Sequence, residues 1–237
     1  GTWSREGGAG LYRVPWGGGA WGGGPGTGCG GVNNERITCV CVYSGKRYGG
    51  CFSGASGPGM WRAGSGKQNS WTLVNELGWE DDSNSDVITL SVWDGWLYAG
   101  TETLRGEPAG AQIWRTVGQP EEDALMNWVQ VSPPGFGNVR NQHIGGMATY
   151  RGRFYAGTWN GAEGLEVWSV SQPQEAPFQD WELAGSGGIQ SKDSVMTMGL
   201  AVCDDHLFVG FRGKFRHEGD LLGDVTVRAA SGGALYC

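Results

Sequence analysis

PPGFGNVRNQHIGGMATYRGRFYAGTWNGAEGLEVWS, residues 133–169, carries the reading that decides the fold. An alternating run (GGMATY), a tight turn and a second apolar run (FYAGTW) make a β-hairpin. A polar loop, NGAEG, then leads to a third short strand, EVWSV. The DWELA segment at 180–184 supplies a fourth.

The same order recurs along the chain. GKRYGGCF (45–52), DGWLYAGTE (94–102) and DDHLFVGFR (204–212) align with RGRFYAGTW (151–159), so Tyr48, Tyr98, Tyr155 and Phe208 are equivalent, 50, 57 and 53 residues apart. Trp61, Trp114 and Trp168 mark third strands, and Trp71, Trp128 and Trp181 mark fourth strands. A repeat of this length, built as a four-stranded antiparallel meander, is one blade of a β-propeller. One blade cannot bury both of its faces, so the aromatic rows are expected to stack between neighbours.

The chain ends extend the pattern. Tyr12 and Trp21 fit a third and a fourth strand, and Val227 in GDVTVRA is expected as a further third-strand copy. ALYC at the C-terminus and GTW at the N-terminus read head to tail as one FYAGTW strand. The expected fold is therefore all-β, a single β-propeller domain over 1–237 of five four-stranded blades, closed by apposition of N- and C-terminal half-strands. The alternative is a piece of a larger propeller.

Composition narrows the function classes. The 46 Gly disfavour long helices, since an interior Gly costs about 1 kcal/mol against Ala. A net charge of −7 without a Lys/Arg cluster argues against nucleic acid. No apolar run is long enough for a membrane-spanning helix. Six cysteines, Cys29, Cys39, Cys41, Cys51, Cys203 and Cys237, suggest disulfides and a secreted, extracellular protein.

The 133–169 stretch resembles repeats of the type GFGNxxN, LYAGTWN and GxEVWR in secreted bacterial and archaeal propeller proteins. The resemblance is close there, loose over the other blades, and lost in the glycine-rich 17–31 segment. It implies the fold and a secreted setting, and no common activity.

In a meander, connections alternate between the two faces. The long polar loops and the blade-to-blade links share one face, which is where ligand contacts are expected. Trp3 and Trp159 occupy the same repeat position there. Beside Glu6, Asn160 or Glu163 they would suit stacking on a sugar with hydrogen bonds to its hydroxyls, although most Trp of such a chain pack between blades. Asn138 and Asn141 join this ligand-binding set, with turn capping as their commoner use.

Catalytic and metal residues are not expected. Asp82, Asn84 and Asp86 alternate like the opening of a calcium loop but lack its Gly and distal Glu. His143, His206 and His217 are too scattered for a zinc site. No cofactor is therefore expected. The leading reading is a lectin-like, non-enzymatic binding module whose partner is a glycan or another extracellular protein. Alternatives are a structural or adhesive member of an extracellular assembly, and a polysaccharide hydrolase or lyase using two carboxylates.

Overall fold

The computed structural model describes residues 12–13, 22–23, 34–53, 57–64, 71–104, 107–118, 125–173, 175–188, 192–213 and 226–229. These residues are all-β apart from two short 3-10 turns, at Leu77–Glu80 and Pro134–Gly137. Among them no helix is long and apolar enough to cross a membrane.

Three complete antiparallel four-stranded units follow one another. The first comprises β3 (Arg36–Tyr43), β4 (Lys46–Phe52), β5 (Gly59–Ala63) and β6 (Trp71–Leu73). The second comprises β7 (Asp86–Trp93), β8 (Trp96–Glu102), β9 (Ile113–Val117) and β10 (Asn127–Gln130). The third comprises β11 (His143–Tyr150), β12 (Arg153–Trp159), β13 (Val167–Val170) and β14 (Glu182–Gly185). A fourth begins with β15 (Ser194–Cys203), β16 (His206–Gly213) and β17 (Thr226–Ala229).

At the N-terminal end β1 (Tyr12–Arg13) pairs with β2 (Gly22–Gly23). Tyr12 faces Gly23 there as Trp61 faces Leu73, the register expected of a third and a fourth strand. One register differs from expectation. The strand neighbour of Val209 is Arg228, where Gly49, Ala99 and Ala156 face Trp61, Trp114 and Trp168, so Arg228 rather than Val227 holds the third-strand position. VTVRA alternates, and an alternating run without an aromatic marker leaves a one-residue slip undetermined. The expected meeting of Gly1 and Cys237 lies outside the described residues.

First strands of successive units contact one another: β3 touches β7, β7 touches β11, and β11 touches β15. They form the inner layer and the fourth strands the outer edge. Tyr48 and Tyr98, on second strands, are fully buried. Large aromatics fill the seams in a repeated pattern. Trp79 stacks on Trp114 at 5.4 Å and meets Trp128 edge-on, while Phe136 stacks on Trp168 at 5.0 Å and meets Trp181 edge-on. Such pairs add about 0.5–1.5 kcal/mol beyond burial.

Both inserted rings sit on left-handed backbone, Trp79 at φ 54 and Phe136 at φ 56, each after a left-handed Gly. Close backbone contact fixes that turn. A Cβ on Gly110, itself at φ +78, would lie 2.6 Å from the Gly135 nitrogen, so only glycine lets the two chains meet.

Cys39, Cys41, Cys51 and Cys203 are thiols, so the expected disulfides do not form among the described cysteines. Cys39 and Cys41 lie two residues apart on one strand and pack against a buried cluster that includes Tyr43, Tyr48, Met60 and Val87. Burial pushes the Cys39 thiol far up, which keeps it protonated.

Candidate functional site

Four of the expected ligand residues meet in one knot where the second and third units join. Asn141 and Asn160 are fully buried. Asn141 donates from Nδ2 to the Gly135 carbonyl at 2.9 Å and to Glu166 Oε2 at 2.7 Å, and its Oδ1 accepts from Asn160 Nδ2 at 3.1 Å. Trp168 Nε1 donates to the same Glu166 oxygen at 2.8 Å. Asn160 Oδ1 accepts from the backbone of Ala162 and Glu163. Asn138 donates to Glu163 Oε2 at 2.8 Å, and Glu163 is exposed.

The preceding unit repeats this knot. Asn84 donates to the Gly78 carbonyl at 3.0 Å and to Gln112 Oε1 at 2.9 Å, and Trp114 Nε1 donates to that oxygen at 2.9 Å. Asp81 stands where Asn138 stands, accepting from Ser83 as Asn138 accepts from Arg140. Repetition of the bonds marks these residues as ties between units. The calcium-like alternation resolves the same way, with Asn84 inside the knot and Asp86 turned to the neighbouring strand.

Trp159 lies elsewhere, at the end of β12 and half-buried. Trp3 and Glu6 lie outside the described residues. Around Trp159 the structure assembles residues that no motif joins in the sequence. Each inner strand carries, two residues before its shared bulge, one position that pairs with the far part of its own second strand: Arg36 with Phe52, Asp86 with Glu102, His143 with Trp159, and Met196 with Arg212. The units join at this level too, Glu102 pairing with His143 and Trp159 with Met196.

These eight residues form a continuous arc on the inner layer, and their chemistry differs at every step. Arg36 lies over the Phe52 ring at 5.2 Å and forms an ion pair with Asp86 of the next unit. Glu102 Oε1 lies 3.0 Å from His143 Nδ1, with both side chains nearly buried. The His143 ring meets Trp159 edge-on at 6.4 Å.

Just inside the arc every inner strand carries a β-bulge, placing Thr38, Ile88, Gly145 and Met198 at the irregular position. Bulges bend a strand and re-aim its side chains, and they concentrate next to active sites. Thr38 shows the effect. Its hydroxyl reaches Asp86 Oδ1 at 3.1 Å and the Gly50 carbonyl at 3.0 Å.

Burial dominates the Asp86 carboxyl. It outweighs the pull of Arg36, Glu102 adds repulsion, and the pKa is pushed up to about 7. Asp86 and Glu102 are cross-strand neighbours, so their side chains share a face about 5 Å apart at Cβ. A carboxyl that keeps its proton near neutrality beside a second carboxyl can donate a hydrogen bond or a proton. Arg36, with 43% of its side chain exposed, and the Trp159 ring supply the accessible part of the arc.

No protein-family model and no curated protein matches this chain. Among solved structures, similar ones include an α-L-arabinofuranosidase from Clostridium thermocellum (11% identity, 73% of this chain, 59% of that chain, TM-score 0.42). Others are an α-L-arabinofuranosidase from Lactobacillus brevis (10%, 80% and 70%, 0.45) and a GH43_1 enzyme from Xanthomonas citri complexed with xylose (11%, 73% and 61%, 0.42). The chain spans less than two thirds of the first and third of these.

Proposed function

We propose that this chain is a secreted carbohydrate-binding β-propeller of five blades, and that its ligand seats on the inner arc rather than on the repeated loops. One observation carries the reading: the second and third units share the knot's bonds, whereas the arc position in the same two units changes from Asp86 to His143, with Arg36 and Met196 at that register in the flanking units. A recognition site needs such asymmetry, because one ligand presents different groups in different directions. Trp159 offers a ring to a sugar face, and Arg36, Glu102 and His143 supply hydrogen-bonding groups beside it. The N-terminal β1–β2 pair, in the register of a third and a fourth strand, supports a ring closed across the chain ends.

Glycan-array binding of the wild-type chain and of Trp159→Ala tests the reading. Loss of binding at an unchanged melting temperature is the expected result. Retained binding would remove Trp159 from the site.

The Asp86–Glu102 pair favours a second reading, glycoside hydrolysis, in which Asp86 holds a proton beside a second carboxyl. Release of nitrophenol from aryl glycosides, abolished in Asp86→Asn, is the outcome that would select it.

A further inference from the structure

We infer that a groove on the outer edge of the second unit, where the third unit's loop crosses it, is a separate subsite for a neutral saccharide. The inference rests on the carbohydrate reading for its ligand class and shares none of the arc's residues. The cavity measures about 510 Å³, within the range of small-molecule sites. Trp114 and Trp128 line it together with Pro133, Pro134, Pro177 and two glutamines, Gln130 and Gln179.

Both indoles are held in place from within. Trp114 Nε1 donates to Gln112 and Trp128 Nε1 to the Val74 carbonyl, and Trp79 packs against both rings. What the rings offer the groove is therefore apolar surface in a fixed orientation, which suits the C–H face of a pyranose. The two amides are also fixed, Gln130 Nε2 donating to the Ser132 carbonyl at 2.7 Å and Gln179 Nε2 to the Pro177 carbonyl at 2.9 Å. Amides anchored at the wall of an aromatic groove meet sugar hydroxyls without losing side-chain freedom on binding.

A peptide laid along 131–134, just past β10, fits less well. Val131 O is already taken by Phe178 N and Trp181 Nε1, Ser132 O by Gln130, and Pro133 and Pro134 have no N–H to give. No ladder remains there for a peptide backbone. The lining holds no charged side chain, in a chain of net charge −7, so the occupant is a neutral glycan rather than an acidic one.

The test titrates cellohexaose, xylohexaose, mannohexaose, hexagalacturonate and decaproline into the whole chain by calorimetry. Wild type, Gln179→Arg and Trp159→Ala are compared. Gln179 is exposed, so its replacement puts charge and bulk into the groove without touching the core. At least one neutral hexasaccharide should bind, with affinity at least tenfold weaker in Gln179→Arg at an unchanged melting temperature, and a binding event should survive in Trp159→Ala. Saccharide binding that is lost in Trp159→Ala and unaffected by Gln179→Arg would leave the arc standing and overturn the groove. So would decaproline binding that Gln179→Arg abolishes, or no neutral saccharide binding at all.

Discussion

The knot between units and the arc on the inner layer use the same kinds of side chain for opposite ends. In the knot, Asn141 with Glu166 and Trp168 repeats Asn84 with Gln112 and Trp114, bond for bond. In the arc, equivalent positions carry Arg36, Asp86, His143 and Met196. Where a repeat keeps its chemistry, the residues solve a problem every unit shares, the joining of one meander to the next. Where the chemistry diverges at one register, the shared problem does not explain the residue, and the proposal that the arc recognises a ligand rests on that divergence.

The largest expected effect falls in the knot region. Phe136→Ala should destabilise the chain by about 3–5 kcal/mol in urea denaturation, since a buried ring stacked on Trp168 is removed. A cost below about 1 kcal/mol would mean that the seams are not where the units are held. Asn141→Ala should cost about 2 kcal/mol, because it removes three side-chain hydrogen bonds, to the Gly135 carbonyl, Glu166 and Asn160, at a buried junction. Glycan binding should survive it under conditions where the variant stays folded.

The arc should announce itself through pH. Asp86 keeps its proton in the folded chain up to about pH 7, whereas an unfolded aspartate releases it near its usual value of 3.8. Between those values the folded state holds the extra proton, so this carboxyl's contribution to stability falls as pH rises from about 4 to 7 and is level above. The slope is at most about 1.4 kcal/mol per pH unit. Arg36, Thr38 and Glu102 act on the same carboxyl and His143 borders Glu102, so the comparison is made against Asp86→Asn, whose melting profile should be flatter over that window. Identical profiles would place Asp86 in ordinary solvent.

The smallest effect sharpens the comparison most. Glu166→Gln copies the second unit's Gln112 into the third. Because both side chains accept from an Asn amide and a Trp indole through one oxygen, the exchange should change stability by less than about 1 kcal/mol. A larger loss would show that the two knots differ in charge as well as in sequence.

The place of Trp159 after GT set it apart as a candidate, and Asn138, Asn141, Asn160 and Glu163 were legible as a group. Their division of labour was not. The sequence shows an Asn as a donor and acceptor, and only the packed units show that Asn141 and Asn160 spend both on neighbours. Arg36, Asp86, Glu102 and His143 left a signal too, since each sits at the boundary of an alternating run. Its meaning required the strands to be set side by side.

Periodicity by itself determined the units: alternating runs, tight turns and repeated aromatics dictate a meander through local sterics and apolar burial, which act over a few residues. The arc was decided by tertiary structure alone. Arg36 and Asp86 are 50 residues apart and Glu102 and His143 are 41 apart. Only the stacking of successive inner strands, register by register and bulge by bulge, brings these side chains into one low-dielectric neighbourhood around Asp86.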